Sequence, residues 1–202
     1  MRTLVIDTAT RACSVALFEN GQLLAGHYEV IGRGHAERLL PLIADLPEHG
    51  KADRIMVDVG PGSFTGIRVG LAAAKALGLA WDVPVLGYGC LALVSAMARQ
   101  HMQQSGSVDV VMTGGHGEYF FEAFDASGAS LAPAASITPD RVAALATASC
   151  HAGDIEPVTP GHRWVEMLPD ARQWVHMPEG AALPPTAIYG RAPDAKPALV
   201  FT

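Results

Sequence analysis

The chain of 202 residues is half hydrophobic and carries a formal charge of −6, from 14 basic and 20 acidic side chains. It is long enough to bury a substantial core in one large domain or two small lobes, and its acidic balance offers no net attraction to a phosphate backbone, so it is not expected to bind RNA or DNA by itself. Cys13, Cys90 and Cys150 are too far apart for a disulfide framework or a CxxC zinc site, Asp7 falls too early for a signal-peptide core, and no apolar window approaches the ~20 residues of a membrane span, so a soluble, cytoplasmic protein is expected.

TLVID near the start reads as a strand and ACSVALFE as a second, with Cys13, Val15 and Leu17 on one face. Asn20-Gly21 supplies the left-handed positions of a tight hairpin that returns through QLLAGHYEV. GHAERLLPLIADL places Ala36, Leu39, Leu40 and Ile43 on one helical stripe, with Pro41 removing a hydrogen bond and kinking it. RIMVDV is an almost wholly apolar strand of the kind buried on both faces, and a loop with Gly60, Pro61, Gly62 and Gly66 leads from it into a helix from about Ile67 to Trp81. VPVLGY predicts another strand and CLALVSAMARQHMQ another helix. From Val108 the order restarts. VDVVMT, GEYFFEAFD and GASLAP predict a second three-strand meander, and TPDRVAALATA a helix capped by Thr138 with Pro139 in its first turn. Residues 1–100 and 101–202 then form two halves, each opening with three strands before its helices. This repeat of order without repeat of sequence describes an α/β, two-lobed, duplicated ribonuclease-H-like fold, the actin-like ATPase (ASKHA) architecture, with a reduced second lobe. The stretch from about 153 to 185, rich in Pro and Gly, carries no assignable element.

The glycine loop VGPGSFTGIR is the first candidate site. A P-loop needs four residues between its glycines and Lys-Ser/Thr after them, and a dinucleotide fingerprint needs a third glycine where Thr65 stands, so neither applies. Two uses remain. The helix N-terminus can hold an anion beside the Ser63 and Thr65 hydroxyls, or the glycines serve to turn the backbone and pack the helix closely, with Thr65 as its cap, which is the commoner arrangement. Asp7, Thr8 and Thr10 end the first strand, where this architecture places groups around nucleotide phosphates and metal; an ordinary turn explains them equally. The histidines, at positions 27, 35, 49, 101, 116, 151, 162 and 176, include no pair three or four apart, so no metal site is predicted. His35-Ala36-Glu37 matches the H-x-E of zinc deaminases without the P-C-x-x-C that must follow, and Ser63 has no G-x-S-x-G frame. On the helix after the loop, Ile67, Gly70, Leu71, Ala74, Gly78 and Trp81 form one apolar face. Its opposite face, Val69, Ala73, Ala76 and Ala80, is also apolar and small, which predicts a helix covered on both sides, by the second lobe or by a partner.

VGPGSFTGIRVGLAAAKALG resembles the signature of the TsaB (YeaZ) family of the bacterial tRNA threonylcarbamoyladenosine pathway. The resemblance extends to LVIDTATRACSVAL, GHAERLLPLI, GEYFFEAF and, weakly, AIYGRAP. It implies a two-lobed actin-like fold and a noncatalytic scaffold and activator of the paralogue TsaD, which transfers threonylcarbamoyl from its adenylate to tRNA adenosine next to the anticodon; the ATPase TsaE completes the assembly. It implies a heterodimer with TsaD, or a homodimer of the lone protein, through the helices that follow His35 and Gly66. His35, Leu39, Leu42 and Arg68 then join Val69, Ala73, Ala76 and Ala80 at the contact. tRNA is reached only through the complex. No cofactor of its own is expected, ATP being met only at the complex interface, with Asp7, Thr8, Thr10, Ser63 and Thr65 as the contact set. The paralogue's metal-binding His-x-x-x-His falls at Cys90 and Val94 here, so neither iron nor zinc is expected. Thr113-Gly114-Gly115 stands where the family usually has Asp-Ala-Arg. The competing reading is a stand-alone ASKHA-type nucleotide-binding enzyme, or a peptidase of the glycoprotease kind; the sequence supplies neither with metal ligands or a positioned base.

Overall fold

The computed structural model describes residues 1–103, 106–156, 161–178 and 180–190. Strand β1 (Arg2–Asp7) pairs antiparallel with β2 (Ala12–Glu19), and the chain turns through Asn20 and Gly21, both at positive φ, into antiparallel β3 (Gln22–Val30). Helix α1 (His35–Ala44) follows, running through Pro41, and β4 (Arg54–Asp58) adds parallel to the other side of β1. Then come α2 (Phe64–Trp81), β5 (Val85–Tyr88), parallel to β4, and α3 (Cys90–Met102). The second sheet is built from β6 (Val108–Thr113), β7 (Tyr119–Phe124), β8 (Ala135–Ile137), β9 (Cys150–Gly153) and β10 (Arg163–Glu166), with α4 (Pro139–Leu145) between β8 and β9.

The two sheets have one topology. The first runs β3-β2-β1-β4-β5 and the second, read from its meander edge, β8-β7-β6-β9-β10. In each, the first strand sits centrally, pairs antiparallel with the second and accepts the fourth in parallel. The duplicated α/β fold expected from element order is therefore present.

Alternation along β1 explains the layering. Leu4 and Ile6 point to the side covered by α1 and α2, while Val5, with Ala16, Phe18 and Met56, meets Leu93 of α3 and Ala171 on the other. Helix α3 is apolar nearly all round because it lies between the sheets: Leu93 faces the first, and Val94, Ala98 and Met102 pack with Val108, Val110 and Phe124 of the second. Each fully buried Leu or Ile in these layers contributes roughly 1.5–3 kcal/mol.

Several elements depart from the expectation. In α1 the buried stripe is His35, Leu39, Leu42 and Ile43, whereas Ala36 and Leu40 face outward. Helix α2 begins three residues earlier than expected, at Phe64, and its cap is Ser63, whose Oγ accepts from the Gly66 N–H at 3.2 Å, not Thr65. The third strand of the second meander is Ala135–Ile137; GASLAP contributes only a single bridge, Ser130 to Phe124. Strand β9 runs just up to the start of the stretch that carried no assignment, and β10 and a 3-10 helix at Ala171–His176 lie within it.

The chain beyond β10 also returns to the first sheet. Ala171 N donates to Ser14 Oγ at 2.9 Å, Trp174 packs at a tilt against Phe18 with ring centroids 5.8 Å apart, and Gly87 and Leu183 exchange two backbone hydrogen bonds. Residues 171–178 and 180–190, placed in the second half by a division at 100/101, thus pack largely on the first. Arg191 to Pro193 of the AIYGRAP block lie outside the described residues.

Candidate functional site

The glycine loop packs on the turn between β1 and β2. Ser63 N donates to Ala9 O at 2.6 Å and Thr8 Oγ1 to Gly66 O at 2.7 Å. A Cβ at Gly62 would overlap the Ala9 carbonyl oxygen, and one at Gly66 the Thr8 carbonyl oxygen, so both positions require glycine for close backbone approach. The loop is held from below as well: Cys90 N donates to Gly60 O at 3.0 Å, and Ile188 N to Val59 O at 2.7 Å. The close-packing use of the glycines is thereby visible residue by residue.

Beneath the loop lies a buried acid pair. Asp7 and Asp58 are each 1 % exposed and adjacent, at the carboxyl ends of parallel strands β1 and β4. Tyr88 OH donates to Asp7 Oδ2 at 3.1 Å, Ala9 N approaches Asp7 Oδ1 at 3.4 Å, and Gly60 N donates to Asp58 Oδ1 at 2.6 Å. Burial pushes the Asp7 carboxyl up to about 6, and burial with the Asp7 charge beside it drives Asp58 well above the usual carboxylate range. One proton shared between them satisfies both geometry and charge. Asp7 and Thr8, expected at a nucleotide, are instead committed to this interior.

Above the loop a cavity of about 1000 Å³ opens between the two sheets. Of the expected contact set only Thr10 and Ser63 line it, with Pro61 and Gly62; Thr65 is exposed elsewhere. Arg68, expected at a partner contact, lies at this rim, its guanidinium 3.6 Å from the centre of the Phe64 ring and its Nε donating to Tyr189 OH at 3.0 Å. On the opposite wall are Thr113, Gly114 and Gly115. Thr113 donates through its backbone N and its hydroxyl to the two oxygens of Asp154, at 2.6 and 2.9 Å. Arg11 reaches across to Glu166 of β10 at 3.5 Å, joining the halves at the mouth. Sequence spacing has no access to Tyr189 or Asp154, which lie 121 and 41 residues from the partners they bind.

The donor set fits a nucleotide of the ASKHA kind poorly. Of the groups expected at the phosphates, the Asp7 carboxylate and the Thr8 hydroxyl are buried, the Thr10 and Ser63 hydroxyls remain at the cavity, and the carboxylate in its described lining, Asp154, is taken up by Thr113. Cys90 and Val94 are fully buried, and among the described residues no group of three His, Cys, Asp or Glu side chains is placed to hold a metal. His151 and His162 do meet, Nε2 to Nδ1 at 3.0 Å, with Asp109 Oδ2 3.7 Å from His151, inside the second half.

The outer surface of α2 is the other candidate. Ile67, Gly70, Leu71, Ala74 and Gly78 are buried on the sheet, as the helical period predicts. Val69 and Ala73 are half-buried, while Ala76 and Ala80 are exposed together with Ala72, Leu79 at 87 % and Phe64 at 54 %. Leu40 of the adjacent α1 is 53 % exposed. His35, Leu39 and Leu42 are instead spent on the chain's own core, His35 Nε2 donating to Ala12 O at 3.1 Å. Among the described residues the second half does not cover this face.

Comparison with known proteins places these features in context. Residues 28–160 match the family model described as TsaD: tRNA N6-adenosine threonylcarbamoyltransferase. The chain is similar to the tRNA threonylcarbamoyladenosine biosynthesis protein TsaB of Escherichia coli, 37 % identical over 116 residues, or 55 % of this chain and 48 % of that one, so it spans about half the length of that relative. An uncharacterized protein of Mycobacterium tuberculosis is 32 % identical over 98 % of this chain and 96 % of its own. Among solved structures, YeaZ from Pseudomonas aeruginosa superposes with a TM-score of 0.77 at 28 % identity, covering 93 % of this chain and 99 % of that one.

Proposed function

Because the chain belongs to the TsaB (YeaZ) family, we propose that it serves the synthesis of threonylcarbamoyladenosine on tRNA next to the anticodon, as a noncatalytic scaffold and activator of TsaD. The observation that carries the reading is the apolar outer face of α2, which the described residues leave open, with Leu79 almost fully in solvent and alanines at Ala72, Ala76 and Ala80 around it. Exposed apolar side chains grouped in this way, bordered by the exposed cations Arg68 and Lys75, mark a protein contact, and small side chains let helix axes approach to about 8 Å. A TsaD helix pair is the proposed occupant, with a second copy of this chain taking its place in the lone protein and TsaE joining the complex. tRNA is then met only through the complex, consistent with a charge of −6. A cytoplasmic site of action goes with the reading; no helix of the described residues is long and apolar enough to cross a membrane.

The test is Ala76→Arg, at an exposed position where the long cation cannot disturb the core. Copurification with TsaD is expected to fall at least tenfold while the circular dichroism of the lone variant stays that of the parent. Unchanged copurification removes α2 as the docking surface. The cleft of about 1000 Å³ favours a second reading, a nucleotide-binding enzyme or glycoprotease-like peptidase acting alone. ATP turnover or peptide cleavage by the purified lone chain, abolished by a cleft substitution such as Ser63→Trp, would establish it over the scaffold.

A further inference from the structure

On the far side of α3 from the glycine loop is a second cavity, of about 500 Å³, between α3, the turn at residues 127–128 and the 3-10 helix Ala171–His176. Among the described residues its wall includes Ser95, Arg99, Gln100, Gln103 and His176 and no carboxylate side chain. The Ser95 hydroxyl is buried and has no hydrogen-bond partner among the described residues, a condition that costs about 1–3 kcal/mol unless something fills it.

Arg99 is held rigid one helical turn further on. Its Nη1 donates to the carbonyls of Gly106 and Asp125 at 3.1 and 3.0 Å, and its Nη2 to Ala126 O. These partners are neutral, and no described carboxylate pairs with the guanidinium. Asp125, whose backbone carbonyl accepts from Arg99, spends its side-chain Oδ1 on the Ser127 N–H and hydroxyl and on the Ala129 N–H. A fixed, half-buried cation with no counter-charge among the described residues, set beside an orphan hydroxyl, two carboxamides and an imidazole, makes a donor-rich concavity.

We propose that this cavity is a binding site for a small anionic ligand with a phosphate or carboxylate head, separate from the cleft over the glycine loop and independent of the family reading. Arg99 supplies the charge, Ser95 the buried donor, and Gln100, Gln103 and His176 close the rim.

Inorganic phosphate, with citrate as the carboxylate arm, is the probe, titrated into the full chain by heteronuclear NMR against sodium chloride at matched ionic strength. Saturable shifts of the Ser95, Arg99 and Gln103 amides are expected, and whichever anion binds more tightly identifies the head group. Gln100→Glu, at an exposed position, puts a like charge on the rim and is expected to weaken binding at least tenfold, whereas the same substitution at exposed Gln22 leaves it unchanged. Gln103→Glu should reproduce the loss from the opposite side. Shifts that do not exceed those of sodium chloride overturn the proposal, as does equal binding by the Gln100→Glu and Gln22→Glu variants.

Discussion

Apart from the weakly donating Cys90 thiol beside it, Asp58 meets no side-chain donor among the described residues unless a proton sits between it and Asp7. Both carboxyls hold protons more tightly in the fold than in the open chain, so the folded state binds more protons than the unfolded one from about pH 3.8, the ordinary Asp value, up through about 6 for Asp7 and beyond for Asp58. Stability drawn from the pair is therefore complete below the unfolded value and is lost as pH rises through the folded ones. Urea midpoints are expected to fall between pH 5 and pH 8. Asp58→Asn mimics the protonated acid: its amide oxygen still accepts from Gly60 N, and its NH₂ donates to Asp7. It should be near neutral at pH 5 and stabilise by about 1–3 kcal/mol at pH 8; equal effects at the two values would refute the shared proton. The same residues show the limit of reading a site from spacing. Asp7 and Thr8 look alike as phosphate ligands or turn formers in the sequence, and only the approach of Gly66 to the Thr8 carbonyl decides that they face inward.

At the scale of elements, the 3-10 helix Ala171–His176 should matter more to the first sheet than its position in the chain suggests. Trp174 packs at a tilt against Phe18 and carries the Arg54 guanidinium 5.5 Å from its ring centre. Trp174→Ala is expected to cost about 2–4 kcal/mol by urea titration, somewhat under the range for a fully buried aromatic. This element was not legible in advance, and neither were β9 and β10. CHAG is a four-residue parallel strand with all four positions buried, so it has no period-2 alternation to detect, and the flanking Pro and Gly speak for loop. Where periodicity is long the reading succeeds: the Asn20-Gly21 hairpin, the buried face of α2 and the apolar character of β4 follow from it directly. The failures are shifts of phase or boundary. In α1 the stripe moved because His35, a polar residue, takes a core position by bonding the Ala12 carbonyl, leaving Leu40 outside. Helix α2 gained a turn because Ser63, rather than Thr65, reaches Gly66 N.

For the whole molecule, duplication suggests two independent folding units, but the connections argue for one. Helix α3 carries core side chains toward both sheets. The chain after β10 leaves the second sheet, packs on the first through Ala171 and Trp174, adds Leu183 beside Gly87, and then bonds Ser136 N on β8 with Gly190 O at 3.1 Å. Separating the sheets would strip α3 of half its cover and break this strap at both ends, so neither half keeps a closed core alone. Unfolding should be a single cooperative transition. The three tryptophans allow a direct check, since Trp81 ends α2 on the first sheet, Trp164 lies on β10 of the second and Trp174 sits on the strap. Three variants, each retaining one tryptophan with the other two replaced by phenylalanine, should show fluorescence transitions in urea that coincide with their own circular dichroism, whatever the absolute midpoint of each. If the Trp164 signal moved at lower urea than the helical signal of the same variant, the second sheet would be opening first, and the fold would be two units joined by a tether rather than one core shared through α3.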